Sequence, residues 1–65
     1  MLRPVAGQCF EIVVRPEGNR WIITIPEIDD TAEARTRAAV ELAARERIAA
    51  RTGIPLGYIS VWVRD

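Results

Sequence analysis

The chain has no histidine and no lysine, a single cysteine (Cys9) and a single methionine among its 65 residues. Without histidine, the commonest general base of enzymes is missing. One thiol and no imidazole exclude a zinc site of the ordinary nitrogen–sulfur kind. One cysteine also excludes an internal disulfide. No apolar run approaches the ~20 residues that span a bilayer. The opening residues, Met1-Leu2-Arg3-Pro4-Val5, lack the apolar core of a signal peptide. A cytoplasmic location is therefore expected, and a lone free thiol suits it. Gly18, Gly53 and Gly57 stand apart as turn glycines, so no phosphate-cradling loop is present. Together these absences argue against an enzyme, and no cofactor or metal is expected.

What the chain does have is balance. Nine arginines offset nine acidic residues, for a net charge of zero. A dedicated nucleic-acid binder gains its affinity from phosphate neutralisation, so a neutral chain argues against that class. The apolar content of 49% is ordinary for a globular protein and too high for disorder. A single domain over residues 1–65 is the expectation. A domain of this size buries only about 60% of the surface its unfolded chain exposes. Tight packing or self-association must make up the difference, so a homo-oligomer, dimer or larger, is expected.

Along the chain, residues 1–7 read as a loose lead-in, punctuated by Pro4 and Gly7. From Cys9 to Arg15 apolar and polar residues alternate, with Phe10, Ile12 and Val14 on one face. That period predicts a half-buried strand. Pro16-Glu17-Gly18-Asn19 predicts a turn with Gly18 or Asn19 at positive φ. A second strand follows from Arg20 to Ile25, ended by Pro26, which cannot donate to a ladder. Asp30 as N-cap with Glu33 three residues on resembles a capping box, and predicts one helix from about Ala32 to Arg51. Its Ala, Arg and Glu content suits a helix. Glu33–Arg37 and Glu41–Arg45 have the spacing of stabilising pairs. Gly53 stands at the expected helix exit, with Pro55 behind it. A last strand is predicted from Tyr58 to Val63. The fold class is thus α+β: a three-stranded β-sheet with one helix packed on one face, in the order β-β-α-β.

Phe10, Ile12, Val14, Trp21, Ile23, Ile25, Ile59, Val61 and Val63 would form the sheet's core face. The other face would carry Glu11, Val13, Arg15, Ile22, Thr24, Tyr58, Ser60 and Trp62. It is too apolar to be left in water, Trp62 most of all. Val40, Ala44 and Ile48 would form the buried stripe of the helix, beside Ala43. Ala38, Leu42 and Ala49 form a second stripe almost opposite. This is either plain alanine propensity or a seat for a second protein. Arg37, Arg47 and Arg51 fall within about 80° on a helical wheel. They read as solvated side chains with stems along apolar surface, or as a contact patch for RNA or an acidic protein. Glu27, Asp29 and Asp30 read as a polar turn and helix cap rather than a cation site. Cys9 has no evident neighbour to activate it as a nucleophile, and reads as a structural strand-edge cysteine.

These residues carry a resemblance. The run Trp21-Ile22-Ile23-Thr24-Ile25-Pro26-Glu27-Ile28 resembles the hydrophobic-Pro-acidic-hydrophobic segment after the first hairpin of HicB-type antitoxins. Thr31-Ala32-Glu33-Ala34-Arg35 occupies the place of that family's lead into a single helix. Val40 to Ala49 resembles the helix of short HicB-like proteins, and Gly53-Ile54-Pro55 resembles the exit to their last strand. The likeness runs from about Phe10 to Val63. It implies an antitoxin that neutralises a HicA-type RNA-cleaving toxin by covering its active site. On this resemblance the chain would correspond to the N-terminal α+β domain in a short stand-alone form, and a DNA-binding domain is not expected within its 65 residues. Arg47 stands where similar helices tend to be apolar or aromatic. The absence of histidine is incompatible with the toxin role itself.

The expected activity is therefore non-enzymatic protein binding. Trp62, Tyr58 and Arg15 are candidates for the partner face, with Leu42, Arg37 and Arg47 as further contacts. The alternative is an orphan HicB-like oligomerisation or regulatory module, for example from a mobile element, that acts on another host protein and self-associates through the Leu42 stripe or the last strand's edge. Direct nucleic-acid binding and membrane association are not expected.

Overall fold

The computed structural model describes residues 7–64. The lead-in expected before Gly7 lies outside the described residues. Four strands and one α-helix follow in the order β-β-β-α-β: β1 (Gln8–Glu17), β2 (Arg20–Ile25), β3 (Asp30–Ala34), α1 (Val40–Thr52) and β4 (Ile59–Arg64). The fold is α+β with one helix, as expected, but the sheet has four strands rather than three.

β1 and β2 form the expected antiparallel hairpin. Glu17 pairs with Arg20, so the loop is the two residues Gly18 and Asn19, and Gly18 takes the positive φ of 64°. A two-residue loop with glycine first matches the right-handed twist of its strands. β1 runs two residues further than the alternation suggests, through Pro16, which lies opposite Trp21. Next to a hairpin's hydrogen-bonded closing pair comes a non-hydrogen-bonded one. Pro16 occupies that position, where β2 asks for no N–H. On its other side, the pairing of β1 with β4 ends at Val13.

The main departure is at residues 30–34. The capping box expected at Asp30 and Glu33 does not form, and the helix does not start at Ala32. After Pro26 a single 3-10 turn brings the chain to Asp29, whose φ of 51° reverses it. Asp30–Ala34 then returns as a strand antiparallel to β2. The reason is period. Ala32 and Ala34 are buried on the core side, while Thr31 and Glu33 stay exposed. Two small side chains at alternate positions fill the space under the helix, and this packing overrides the helix propensity of Ala and Glu. Glu33 consequently pairs with Arg20 of β2 at 2.7 Å, and not with Arg37.

The helical region starts at Thr36 instead. Its Oγ1 accepts from the Ala39 N–H at 3.2 Å, across a 3-10 turn that leads into α1. Val40, Ala44 and Ile48 are fully buried, the stripe expected from the helical wheel. The second stripe does not hold together. Ala38 precedes α1, Ala49 packs against the core, and Leu42 is left exposed. Gly53 closes the helix at φ 78°, its N–H donating to the Ala49 carbonyl at 2.9 Å.

The sheet order is β3-β2-β1-β4. β4 pairs in parallel with β1, from Gln8↔Ile59 to Val13↔Arg64. β3 is antiparallel to β2, and β2 to β1, so the two edge strands β3 and β4 run the same way. The helix connects them across one face, as a parallel connection requires. The core lies in that one layer: Phe10, Ile12, Ile23, Ile25, Ala32, Ala34 and Ile59 beneath Val40, Ala44 and Ile48. Val14, Trp21, Val61 and Val63 pack at its margin, so the whole expected core face is used.

Candidate functional site

With the helix on one side, no layer among the described residues covers the other face of the sheet. The register lays out what it shows. One row is Glu33, Ile22 and Arg15; the next is Thr31, Thr24, Val13 and Arg64; then come Glu11 beside Trp62, and Cys9 beside Ser60. Val13, Ile22 and Thr24 are half-buried by their neighbours, and form the middle of the face. Trp62 lies toward one side of it with 49% of its surface exposed.

Charges surround this centre, but each has a partner in the chain. Arg15 Nη1 lies 2.7 Å from Glu17 Oε2, and Arg64 Nη1 lies 3.0 Å from Glu11 Oε2. With Arg20–Glu33, three arginine–carboxylate pairs frame the face. These exposed pairs add little stability. Their effect is to cancel charge locally, so the face presents an apolar centre within a neutral polar rim. Interfaces are built in that way, with aromatic side chains at the centre.

The other candidate residues separate in space. Tyr58 is not part of the last strand. It ends a 3-10 turn, Leu56–Tyr58, held by the Tyr58 N–H donating to the Pro55 carbonyl at 2.9 Å. It is 49% exposed there, immediately before β4. Leu42 belongs to the helix layer and cannot share a contact surface with the open face. Arg37 pairs with Glu41 at 3.2 Å. Arg47 and Arg51 both lean on Asp30 Oδ2, at 3.7 and 2.9 Å. The three arginines are thus split between two carboxylates, and do not form one unpaired basic patch.

Asp30 is a residue that reading by sequence assigned to a cap. Its carboxyl is held below the usual value, first by the Thr31 N–H bonded to Oδ1 at 2.8 Å. Partial desolvation opposes this, and Arg51 and Arg47 add to it. Arg45 also went unnoticed as a tie. Its guanidinium reaches past Glu41 and donates to the carbonyls of Ile59, at 2.9 Å, and Leu56, at 3.2 Å. Nothing in a linear pattern marks an arginine that serves backbone carbonyls 14 and 11 residues away.

Among the described residues no group of three or more His, Cys, Asp or Glu side chains is placed to hold a metal ion. Glu27 and Asp29 are exposed and Asp30 is taken up by arginines. Cys9 is exposed on β1, opposite Ser60. No helix among the described residues is long and apolar enough to cross a membrane. Comparison with known protein families, with curated proteins and with solved structures returned no match to this chain.

Proposed function

We propose that this chain is a non-enzymatic protein-binding module of the HicB antitoxin type, which acts in the cytoplasm by covering the active site of a HicA-type ribonuclease. The observation that carries the reading is the open sheet face: a four-stranded surface over which the described residues lay no further layer, with an apolar centre and a half-exposed tryptophan. The run from Trp21 to Ile28 and the helix segment from Val40 to Ala49 supply the family resemblance.

Inhibition here is steric. A flat sheet face laid over a ribonuclease site keeps RNA out without any chemistry of its own. Trp62 is the anchor, because burying a half-exposed indole gains more than burying any other side chain on the face. Arg15 stands two register rows away on the same face, and Tyr58 immediately precedes β4. The internally paired charges match a partner's polar rim without leaving an unpaired ion buried.

The test is affinity capture from lysate of the source cells with the tagged chain, followed by RNA cleavage with the captured protein. The expected result is recovery of a small, basic, histidine-containing protein whose ribonuclease activity falls as this chain is added. Trp62→Ala should weaken that binding about tenfold or more, with the circular dichroism unchanged. Failure to inhibit any such ribonuclease sinks the antitoxin reading. Full binding by a folded Trp62→Ala protein removes Trp62 as its anchor.

A further inference from the structure

Among the described residues the sheet has two free edges, β3 and β4, and they are built differently. Along β3 stand Asp30 and Glu33, both occupied by arginines. β4 reads Ile59-Ser60-Val61-Trp62-Val63-Arg64, with no acidic residue, no proline and a single charge. Charges and prolines are the devices that keep sheet edges from pairing, and six residues of β4 nearly lack them. Large exposed hydrophobic residues gather at the same edge. Leu56 and Tyr58 lead into β4, and Trp62 lies within it.

We infer that β4 is the dimerisation edge, where two copies of this chain pair antiparallel and join their sheets into one. The occupant is a second copy for three reasons. The unpaired N–H and C=O groups of an edge strand are self-complementary about a two-fold axis, with each donor meeting the partner's acceptor. The edge offers no net charge to select a charged partner, since Arg64 is held by Glu11, and a chain of net charge zero does not repel its copy. And 65 residues form a small core that gains from a second one.

The pleat restricts the register. Residues directly opposite in an antiparallel pair point to the same side, so the residue numbers of a pair must sum to an even number. The centre of the pairing is then Val61 opposite Val61 or Trp62 opposite Trp62. Either choice puts the two tryptophans face to face or on the adjacent diagonal, about 7–8 Å apart and within contact of each other. Both helices lie on one side of the joined sheet, and the two open faces become one. A single face, four strands of about 4.8 Å spacing by six residues of about 3.3 Å, spans roughly 400 Å². The joined face approaches the ~800 Å² that a partner contributes to a stable interface.

The experiment is sedimentation equilibrium of the purified chain over a concentration series, with no other protein present, so its result is independent of the antitoxin reading. The expected result is a dimer at micromolar concentration. Trp62→Lys should raise its dissociation constant about a hundredfold by setting two like charges beside each other. Glu33→Lys, at the other edge, should leave it unchanged. Ser60→Glu repeats the test at a second exposed position should Trp62→Lys not fold. Amide exchange should slow in β4, and not in β3, as concentration rises. A monomer at every concentration overturns the inference. So does a dimer that survives the β4 substitutions, or one that protects β3 instead.

Discussion

The β3 edge and the β4 edge flank the same core, yet they are held by opposite means. At β3 a carboxylate is supplied by the strand and the cations come down from the helix: Arg47 and Arg51 reach Asp30. At β4 the cation again comes from the helix, but it meets backbone carbonyls: Arg45 serves Ile59 and Leu56. The first arrangement leaves charged side chains at the edge. The second uses no side chain of the strand, so β4 carries no carboxylate there and its Trp62 stays exposed. An edge closed to pairing and an edge open to it thus follow from where one carboxylate sits in the sequence.

The change that should blur the comparison most is Ile48→Ala. Ile48 is fully buried on the core side of the helix that ties both edges down. Truncation should lower stability by about 3–4 kcal/mol. For a chain whose total is roughly 3–10 kcal/mol, that approaches unfolding. Urea titration measures it, and both edges should loosen together.

Arg45→Met is sharper. It keeps the apolar stem and removes the donors. Two carbonyls lose their charged partner, at a cost of about 1–2 kcal/mol. Amide exchange should quicken around Leu56 and Ile59 while β3 keeps its protection. Equal loosening of both edges would show that Arg45 acts on the whole fold, and would break the comparison.

Much of this edge contrast could be anticipated from sequence, and one part could not. β1, β2 and β4 announce themselves because large apolar side chains alternate with polar ones in each. The buried helical stripe Val40, Ala44 and Ile48 was equally plain. β3 was not, because its buried residues are Ala32 and Ala34. Alanine is the best helix former, and Asp30 and Glu33 have the spacing of a cap. The period of two was present in Thr31-Ala32-Glu33-Ala34, but with side chains too small to outweigh propensity until the helix above them is known. The open face and Trp62 were legible from the sheet pattern. Leu42 and Arg47 lie on the helix as the wheel predicts, but Arg37 falls in the 3-10 turn before α1, so the late helix start takes it off the shared arc with Arg47 and Arg51.

Asp30→Asn tests the closed edge. The Asp30 carboxyl is held below its usual value in the fold, so the ionised form stabilises the protein above the unfolded value of about 3.9. That contribution should fade as pH falls below 3.9 and through the lower folded value. Thermal melts should therefore show the wild type above the variant at pH 7 (about three units above that value) and the two converging in stronger acid. The loss should be confined to β3 and smaller than that of Arg45→Met, since Arg47 and Arg51 are about half exposed and water screens their attraction. Convergence at neutral pH instead would mean that Arg47 and Arg51 do not hold this edge.

The smallest effect belongs to Arg20–Glu33, the pair that joins β2 to β3 on the open face at 2.7 Å. Both side chains are more than half exposed, at 54% and 55%. Water competes for each partner, and ordering two long side chains offsets much of the attraction. A double-mutant cycle with Arg20→Ala and Glu33→Ala should give a coupling of about 0.2–0.5 kcal/mol. Its sensitivity to salt should be clear, because nothing shields it. A coupling several times larger, insensitive to salt, would mean that β3 is held from the open face as well as from the helix. The carboxylate of Glu33 would then stabilise the edge in addition to keeping it from pairing.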